Sequence, residues 1–263
     1  MRVTIDVIVL AGDRGPGDPL AQSAGVAGKT LVPVAGRAML THALSALAGW
    51  ERLGNVILVA PALPAYEDAA LASGLATSRL IQVSPAASPS ASVAQALARA
   101  GPSRPLLLTT ADHVLLKTGW LDEMLDRAGD ADLLVGLVDY DRVMERFPGS
   151  RRTRYRFSDL SVCGTNLFLF QSGRADTVVE QWQAIEQQRK RPWRVVSMLG
   201  WANLARYLAG RLSLMQGFTA LSKVLGVNVS ARVLDDPLAA VDVDSASDLA
   251  LVESVLAGRA GRC

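Results

Sequence analysis

The sequence predicts an α/β fold built on a mostly parallel, doubly wound sheet. Short apolar runs alternate with segments of helical pattern, and the runs are continuously hydrophobic rather than alternating, which is typical of strands buried on both faces of a parallel sheet. They read VTIDVIVL, NVILVA, RLIQV, PLLLTT and DLLVGLV. This alternation of strands and helices favours helices on both faces of the sheet. The ligand edge is then the one formed by the carboxyl ends of the strands.

The helices are predicted between these strands. They cover residues 39–50, 62–74, 91–100 and 118–128. The pattern changes after residue 138, where a polar, arginine-rich segment runs to residue 157. A strand, SVCGTNLFLF, follows, and then a helix over 173–190. Residues 191–226 predict one or two amphipathic helices, and the chain closes with a strand, a turn, a short strand with aspartates and a final helix.

Length and composition limit the classes of function. The 263 residues suit one large α/β domain, and half of them are hydrophobic. A net charge of +2 is too small to suggest nucleic-acid binding, so we expect no nucleic-acid partner. Two cysteines and two histidines exclude a disulfide framework and a histidine-rich metal centre. We find no signal peptide and no apolar run long enough to span a membrane, and we expect a cytoplasmic protein.

The loop after the first strand carries the most specific motif. Residues 10–40 read LAGDRGPGDPLAQSAGVAGKTLVPVAGRAML. Glycines in such a loop let backbone N–H groups approach phosphates, while Arg14 and Lys29 supply positive charge. The spacing fits neither the dinucleotide-binding nor the P-loop pattern.

This loop resembles the signature L-A-G-G-x-G-x-R…K-x-L-x-P-x-x-G-x-P-M-L of the nucleotidyltransferases. That superfamily includes the molybdenum-cofactor guanylyltransferases and the cytidylyltransferases that activate sugar phosphates and phospho-alcohols. The resemblance implies a three-layer α/β/α sandwich of the nucleotide-diphospho-sugar transferase type, with a helical insertion near the C-terminus. It also implies that Arg14 and Lys29 are catalytic, and that the nucleotide is bound by Leu10, Ala11, Gly12 and Asp13. Asp13 stands where the family has its second glycine.

Carboxylates near two predicted strand ends point to a metal. Asp112 directly follows the strand PLLLTT, at the ligand edge, where its oxygens suit Mg²⁺ and a triphosphate. Its alternative role is that of a helix N-cap. Asp242 and Asp244 alternate with valines, so an extended backbone would point both side chains the same way. The stretch is similar to the family ending D-[IV]-D-T-P-E-D-L, which implies that Asp112 and Asp244 hold Mg²⁺, with Asp112 also contacting the nucleotide.

Two further segments match family elements that border the substrates. Ser90 and Ser92 precede an apolar helix, and Ser92-Val93 matches the element beside the nucleotide base; an ordinary serine N-cap is the alternative. Gly164, Thr165 and Asn166 interrupt a strand, which marks a bulge or a close ligand approach. By resemblance they line the acceptor site with Asp242. The arginines at 151, 152, 154 and 156 either hold an acceptor phosphate or lie on a solvated loop.

We therefore expect one NTP transferase domain over 1–263. It divides into a nucleotide-binding half (1–138), an acceptor-binding half (139–190), a helical insertion (191–226) and a closing segment (227–263). The expected reaction is Mg²⁺-dependent transfer of NMP from an NTP to a phosphorylated sugar, alcohol or lipid head group, with release of pyrophosphate. CTP is favoured and GTP, as in a molybdenum-cofactor-type guanylyltransferase, is the alternative. A glycosyltransferase or a non-catalytic member of the same fold remains open, as does a monomer or homodimer.

The insertion also has two interpretations. Leu204, Leu208, Leu212 and Met215 recur at a spacing that suits one helical face. That face would be a lid, a packed hairpin or a dimer contact. With the tryptophans and arginines of the segment, it would alternatively be a surface for peripheral membrane association.

Overall fold

A computed structural model describes residues 4–12, 17–126, 128–186 and 200–260. The strands are β1 (Ile5–Leu10), β2 (Pro33–Val34), β3 (Arg37–Ala38), β4 (Leu53–Val59), β5 (Leu80–Val83), β6 (Leu106–Thr110), β7 (Leu133–Asp139), β8 (Tyr155–Arg156), β9 (Ser161–Phe170) and β10 (Val229–Leu234). The helices are α1 (Pro19–Ala24), α2 (Met39–Ala48), α3 (Pro64–Leu71), α4 (Pro89–Ala100), α5 (Thr118–Asp126), α6 (Tyr140–Arg146), α7 (Asp176–Glu186), α8 (Trp201–Leu208), α9 (Leu214–Leu225) and α10 (Ala246–Ala260).

The central sheet has the order β10-β7-β9-β6-β1-β4-β5, with β8 beside β9. β1 pairs in parallel with β4 and β6, and β10 pairs in parallel with β7. β9 runs antiparallel to both β6 and β7. The predicted mostly parallel sheet is therefore confirmed, and β9 is the strand that joins its two parallel groups.

Helices cover both faces of this sheet, as the continuous apolar runs predict. Side chains of β1 alternate between the two layers: Val7 and Val9 join the core under α2, α3 and α5, while Ile8 joins the core under α4 and α7. α9 packs on the same side as α4, whereas α10 adds Val252 to the first core. The three-layer α/β/α sandwich is confirmed.

Strand β9 contains a bulge where it pairs with β7. Between the pairs Val135–Phe168 and Leu137–Gly164, two steps along β7 are matched by four along β9. Asn166 lies in this bulge with a φ of 54°, in the left-handed region that asparagine tolerates better than most residues. The bulge expected at Gly164–Asn166 is present, and it sets the direction of the Asn166 side chain.

Two features of the C-terminal region differ from the sequence predictions. Residues 241–244 do not form a strand; the segment instead follows a 3₁₀ turn at Pro237–Ala240 and leads into α10. The predicted single apolar face over 204–215 is also wrong. Glycine at 210 breaks the helix between α8 and α9, so that Leu204 and Leu212 are buried while Leu208 and Met215 are 70% and 76% exposed.

Candidate functional site

The carboxyl ends of β1 and β6 bring together two segments that are distant in the sequence. Ala11 continues from β1 and donates a backbone hydrogen bond to Val59, at the end of β4, over 2.8 Å. Asp112 follows β6, and its carbonyl accepts a 3.1 Å hydrogen bond from the Val243 N–H. This backbone contact places the aspartates at 242–244 beside Asp112 without any strand pairing.

Lys29 joins the two carboxylates predicted to bind metal. Its Nζ lies 2.7 Å from Asp112 Oδ2 and 2.5 Å from Asp244 Oδ1. Burial alone would lower the pKa of Lys29, but attraction to Asp112 and Asp244 raises it above the ordinary lysine value. The Lys29 side chain is 15% exposed and stays cationic between the two carboxylates.

Asp112 retains an acceptor that no protein group uses. Among the described residues, its buried Oδ1 has no hydrogen-bond partner. Asp112 is not the N-cap of α5, because that helix begins only at Thr118. A free carboxylate oxygen beside an occupied one is the arrangement in which a hard cation completes its shell with carboxylates, water and phosphates. The described part of the chain holds no cluster of three or more His, Cys, Asp or Glu side chains suited to a metal.

Asp242 belongs to the same cluster but faces other partners. Its Oδ2 accepts a 2.8 Å hydrogen bond from Asn166 Nδ2, and its Oδ1 pairs with Arg152 Nη1 at 2.8 Å. Burial, together with the nearby Asp112 carboxylate, raises the pKa of Asp242 to about 6. The bulge of β9 and the 242–244 segment are therefore linked directly through Asn166 and Asp242.

Arg152 is buried against the acidic segment at 242–248, a contact that the sequence analysis did not predict. Its side chain is 7% exposed; Nη2 lies 2.9 Å from Asp248 Oδ1 and donates to the Asp242 carbonyl over 3.3 Å. Asp248 Oδ2 in turn accepts from the Asp244 N–H at 3.3 Å. The proposed solvated loop is wrong for this arginine, since the ion pairs hold it against the 242–248 segment. Four arginines at 151–156 and three aspartates at 242–248 were the available signal.

We expect Arg152→Met to lower the free energy of unfolding by about 3–5 kcal/mol, because it leaves two poorly solvated carboxylates without their cation. Arg152→Lys should recover part of this loss. The matched control is Arg142→Met, whose exposed partner Asp235 lies 3.5 Å away, and it should change stability by less than about 1 kcal/mol. Urea unfolding of the three variants measures these differences. Equal losses for Arg152→Met and Arg142→Met would contradict the structural role of Arg152.

The other predicted site residues lie around this cluster. Leu10 ends β1, and a side chain at Gly12 would lie 3.3 Å from the Pro85 Cβ, so the loop after β1 abuts the loop before α4. Ser90 and Ser92 lie in the first turn of α4 and are buried; Ser92 Oγ accepts from the Ala86 N–H of that second loop at 2.9 Å, and Ser90 Oγ is 3.0 Å from Ser88 Oγ. The serine that caps α4 is Ser88, which accepts from the Ala91 N–H, so the N-cap alternative is wrong for Ser90 and Ser92 themselves. Contact of Ser90 and Ser92 with a nucleotide stays a prediction.

The acceptor residues are split between two environments. Gly164 is exposed and Asn166 is half-buried, while Thr165 is buried with its hydroxyl against Gly136. Asn166 and Gly164 are thus the members of this group that a ligand reaches from solvent. Asp13 and Arg14 lie outside the described residues, so the predicted roles of both remain predictions.

Comparison with known proteins identifies the family. A family model described as the MobA-like NTP transferase domain matches residues 7–198, nearly three quarters of the chain. The chain belongs to the MobA-like NTP transferase family. It is a nucleotidyltransferase, and the cluster of Lys29, Asp112 and Asp244 lies at the ligand edge of its sheet.

Solved structures agree with this fold. A hypothetical transferase from Thermus thermophilus is 29% identical, with a TM-score of 0.76 over 94% of this chain and 100% of that one. The 4-diphosphocytidyl-2C-methyl-D-erythritol synthase of Anaerococcus prevotii is 12% identical, with a TM-score of 0.56 over 97% and 96%. A CMP:2-keto-3-deoxy-manno-octonic acid synthetase complexed with CTP is also 12% identical, with a TM-score of 0.56 over 98% and 100%. The last two similarities show the fold alone. No curated protein matches the chain.

Proposed function

We propose that this NTP transferase uses CTP and Mg²⁺ to transfer CMP to a phosphorylated alcohol or sugar, with release of pyrophosphate. The single observation that carries the proposal is the contact of Lys29 Nζ with both Asp112 and Asp244 at the carboxyl ends of the strands. This contact places the Lys29 ammonium and two carboxylates that can ligate a metal at one point of the ligand edge. A triphosphate bound there needs its negative charge compensated.

In the proposed reaction, an oxygen of the acceptor phosphate attacks the α-phosphorus of the NTP. A new P–O bond forms as the bond to the pyrophosphate leaving group breaks in line. No general base is required, because a phosphate monoester is largely ionised near neutral pH. Positioning and charge stabilisation therefore supply most of the rate.

The residues present fit a divalent cation. Asp112 Oδ1 is buried and free of protein donors among the described residues, while the Asp244 side chain is 55% exposed and open to substrate. Mg²⁺ usually binds through one or two carboxylates plus substrate phosphates and water. When bound, it neutralises charge on the phosphates of the NTP.

Lys29 would stabilise the negative charge that develops on the α-phosphate and the leaving pyrophosphate. Its two carboxylate partners hold the ammonium in place before substrate arrives, so little reorganisation is needed during the reaction. Asn166 and Asp242 border the opposite side of the cluster, beside the bulge of β9. Their exposed neighbour Gly164 leaves room for the acceptor there.

Two lines of support favour CTP over the other nucleotides. The Ser92-Val93 element and the closing Asp242-Val243-Asp244 resemble those of phospho-alcohol cytidylyltransferases. Two of the solved structures with this fold are described as a diphosphocytidyl synthase and a CTP complex. GTP is the second candidate, because the superfamily that the loop after β1 resembles also includes the molybdenum-cofactor guanylyltransferases.

Pyrophosphate release tests the proposal. Wild-type protein is incubated with each of the four NTPs and a panel of phosphorylated sugars, polyols and amino alcohols, and products are identified by mass spectrometry. With CTP and one class of acceptor, we expect a product in which the acceptor is linked to CDP. Its formation should depend on Mg²⁺ and be abolished by EDTA. A guanosine product would replace CTP by GTP. Transfer of a sugar from a nucleotide-sugar, with no pyrophosphate formed from any NTP, would overturn the proposal.

A further inference from the structure

The stretch of sequence that follows α7 has an unusual distribution of charge. No Asp or Glu occurs between Glu186 and Asp235, a stretch of 48 residues that carries eight Lys or Arg. Because the whole chain has a net charge of +2, the remaining residues carry a net charge of −6. Positive charge is therefore concentrated in one part of an otherwise acidic protein.

The same stretch also holds most of the large apolar side chains that are open to solvent. Among the described residues, six large hydrophobic side chains are exposed, and four of them lie on α8 and α9: Trp201, Leu208, Met215 and Val224. Trp201 is 85% exposed. Single exposed apolar residues are ordinary, but a concentration of them in one hairpin indicates an interaction surface.

The exposed residues lie on a folded support. Leu204 and Leu212 are buried and pack with Phe157 and Tyr207, forming a small core of their own. The Ser158 N–H donates to the Leu212 carbonyl over 2.8 Å, and the Leu214 N–H donates to Asp159 over 2.9 Å. The hairpin is thereby fixed to the loop after β8, and its outward side chains have a defined orientation.

Exposed apolar and exposed basic side chains both occur on α8 and α9 and on the turn between them. Trp201 and Leu208 are seven residues apart and so project from the same face of α8. Arg206 of α8 and Met215 and Lys223 of α9 line one shared groove. Arg211 is exposed between the two helices, and within the described residues Arg206, Arg211 and Lys223 form no ion pair. We call Trp201, Arg206, Leu208, Arg211, Met215 and Lys223 the basic–apolar surface.

We propose that the basic–apolar surface binds an anionic lipid bilayer. Basic side chains near an anionic membrane each contribute to binding, while Trp and Leu insert at the level of the head groups. Among the described residues, no helix is long and apolar enough to cross a membrane. The helices α8 and α9 are anchored on residues 156–159, and β8 pairs with β9, the strand that carries Asn166.

A symmetric dimer through this surface is less favourable. Two-fold symmetry would place the same patch of each copy against the other, and the unpaired arginines and lysine would then repel. Interface cores are depleted of charged residues, whereas here the charges are interspersed with the apolar groups. An anionic bilayer satisfies both the charge and the apolar side chains.

Flotation with vesicles tests this proposal. The wild-type chain is mixed at low salt with vesicles of phosphatidylcholine alone or of phosphatidylcholine and phosphatidylglycerol. Each basic residue near an anionic surface contributes about 1 kcal/mol, or about fivefold in partitioning. We expect binding to the anionic vesicles only, weakened by salt. Arg206→Glu with Arg211→Glu should lower partitioning by at least about 25-fold. Arg99→Glu, an exposed arginine on α4, is the matched control and should bind more strongly than the double variant.

Fluorescence supplies a second measurement. Insertion of Trp201 predicts a blue shift on addition of anionic vesicles that disappears in Trp201→Phe. No binding of wild-type protein to anionic vesicles at low salt would overturn the proposal. A second result would also overturn it: light scattering that shows a dimer of the wild-type protein, which the Arg206→Glu and Arg211→Glu changes dissociate. The surface would then join two copies of the chain.

Discussion

Asp112→Asn is expected to lower kcat/KM for pyrophosphate release by about a thousandfold, since a lost contribution of about 4 kcal/mol to charge stabilisation corresponds to that factor. Asparagine keeps the size of the side chain and one of its oxygens, but removes the charge. The orphaned Oδ1 of Asp112 and its pairing with Lys29 are the observations behind this expectation. Steady-state rates with CTP and the best acceptor measure the effect.

A matched control separates this loss from a general effect of removing a carboxylate. Asp126 lies on α5 and pairs with Arg52 at 3.3 Å, with its side chain 69% exposed. Asp126→Asn should keep kcat/KM within about twofold, because exposed ion pairs contribute little. Asp112→Asn protein with wild-type circular dichroism and wild-type activity would remove Asp112 from the site.

Lys29→Met is expected to lower kcat by about a hundredfold or more while changing the affinity for nucleotide much less. A cation matched to charge that develops during bond exchange stabilises the transition state more than the bound substrate. Loss of the ammonium also leaves Asp112 and Asp244 facing each other without compensation. Single-turnover rates and equilibrium titration with CTP give the two quantities separately.

Lys117→Met is the control for this variant. Lys117 also pairs with an aspartate, Asp236, at 2.5 Å, but it is more exposed and outside the cluster at Asp112. It should retain kcat within about threefold, since an exposed pair contributes little. A change confined to KM in Lys29→Met, with kcat unaltered, would assign Lys29 to substrate binding and contradict the role proposed for it.

The sequence was sufficient for the architecture because the strands are short, continuous apolar runs. Each of the five runs between residues 3 and 138 became a strand of the sheet, with ends that moved by a few residues. The structure also brings Asp112 and Asp244 together, as the family resemblance implies, with Lys29 between them. The strand-end argument holds for Asp112 alone, because residues 241–244 form no strand.

Features that depend on tertiary packing were not predictable in the same way. The 242–244 segment alternates like a strand, yet it is held by the Val243 N–H on the Asp112 carbonyl rather than by a sheet neighbour. Arg152 looks like any residue of a solvated arginine run until Asp242 and Asp248 fold against it. In the insertion, Leu208 and Met215 fit an apolar stripe by spacing, but the turn at 209–213 places them on separate helices.

The most direct test of the central claim is the dependence of CTP affinity on Mg²⁺, measured by titration calorimetry without acceptor. If Asp112 and Asp244 hold the cation that binds the triphosphate, wild-type protein should bind CTP at least about tenfold more tightly with Mg²⁺ than with EDTA, a gain of about 1.4 kcal/mol. Asp112→Asn and Asp244→Asn should each lose most of that gain, while Asp126→Asn keeps it. A Mg²⁺-dependent gain that persists undiminished in both site variants would contradict the assignment of the cluster as the cation and triphosphate site.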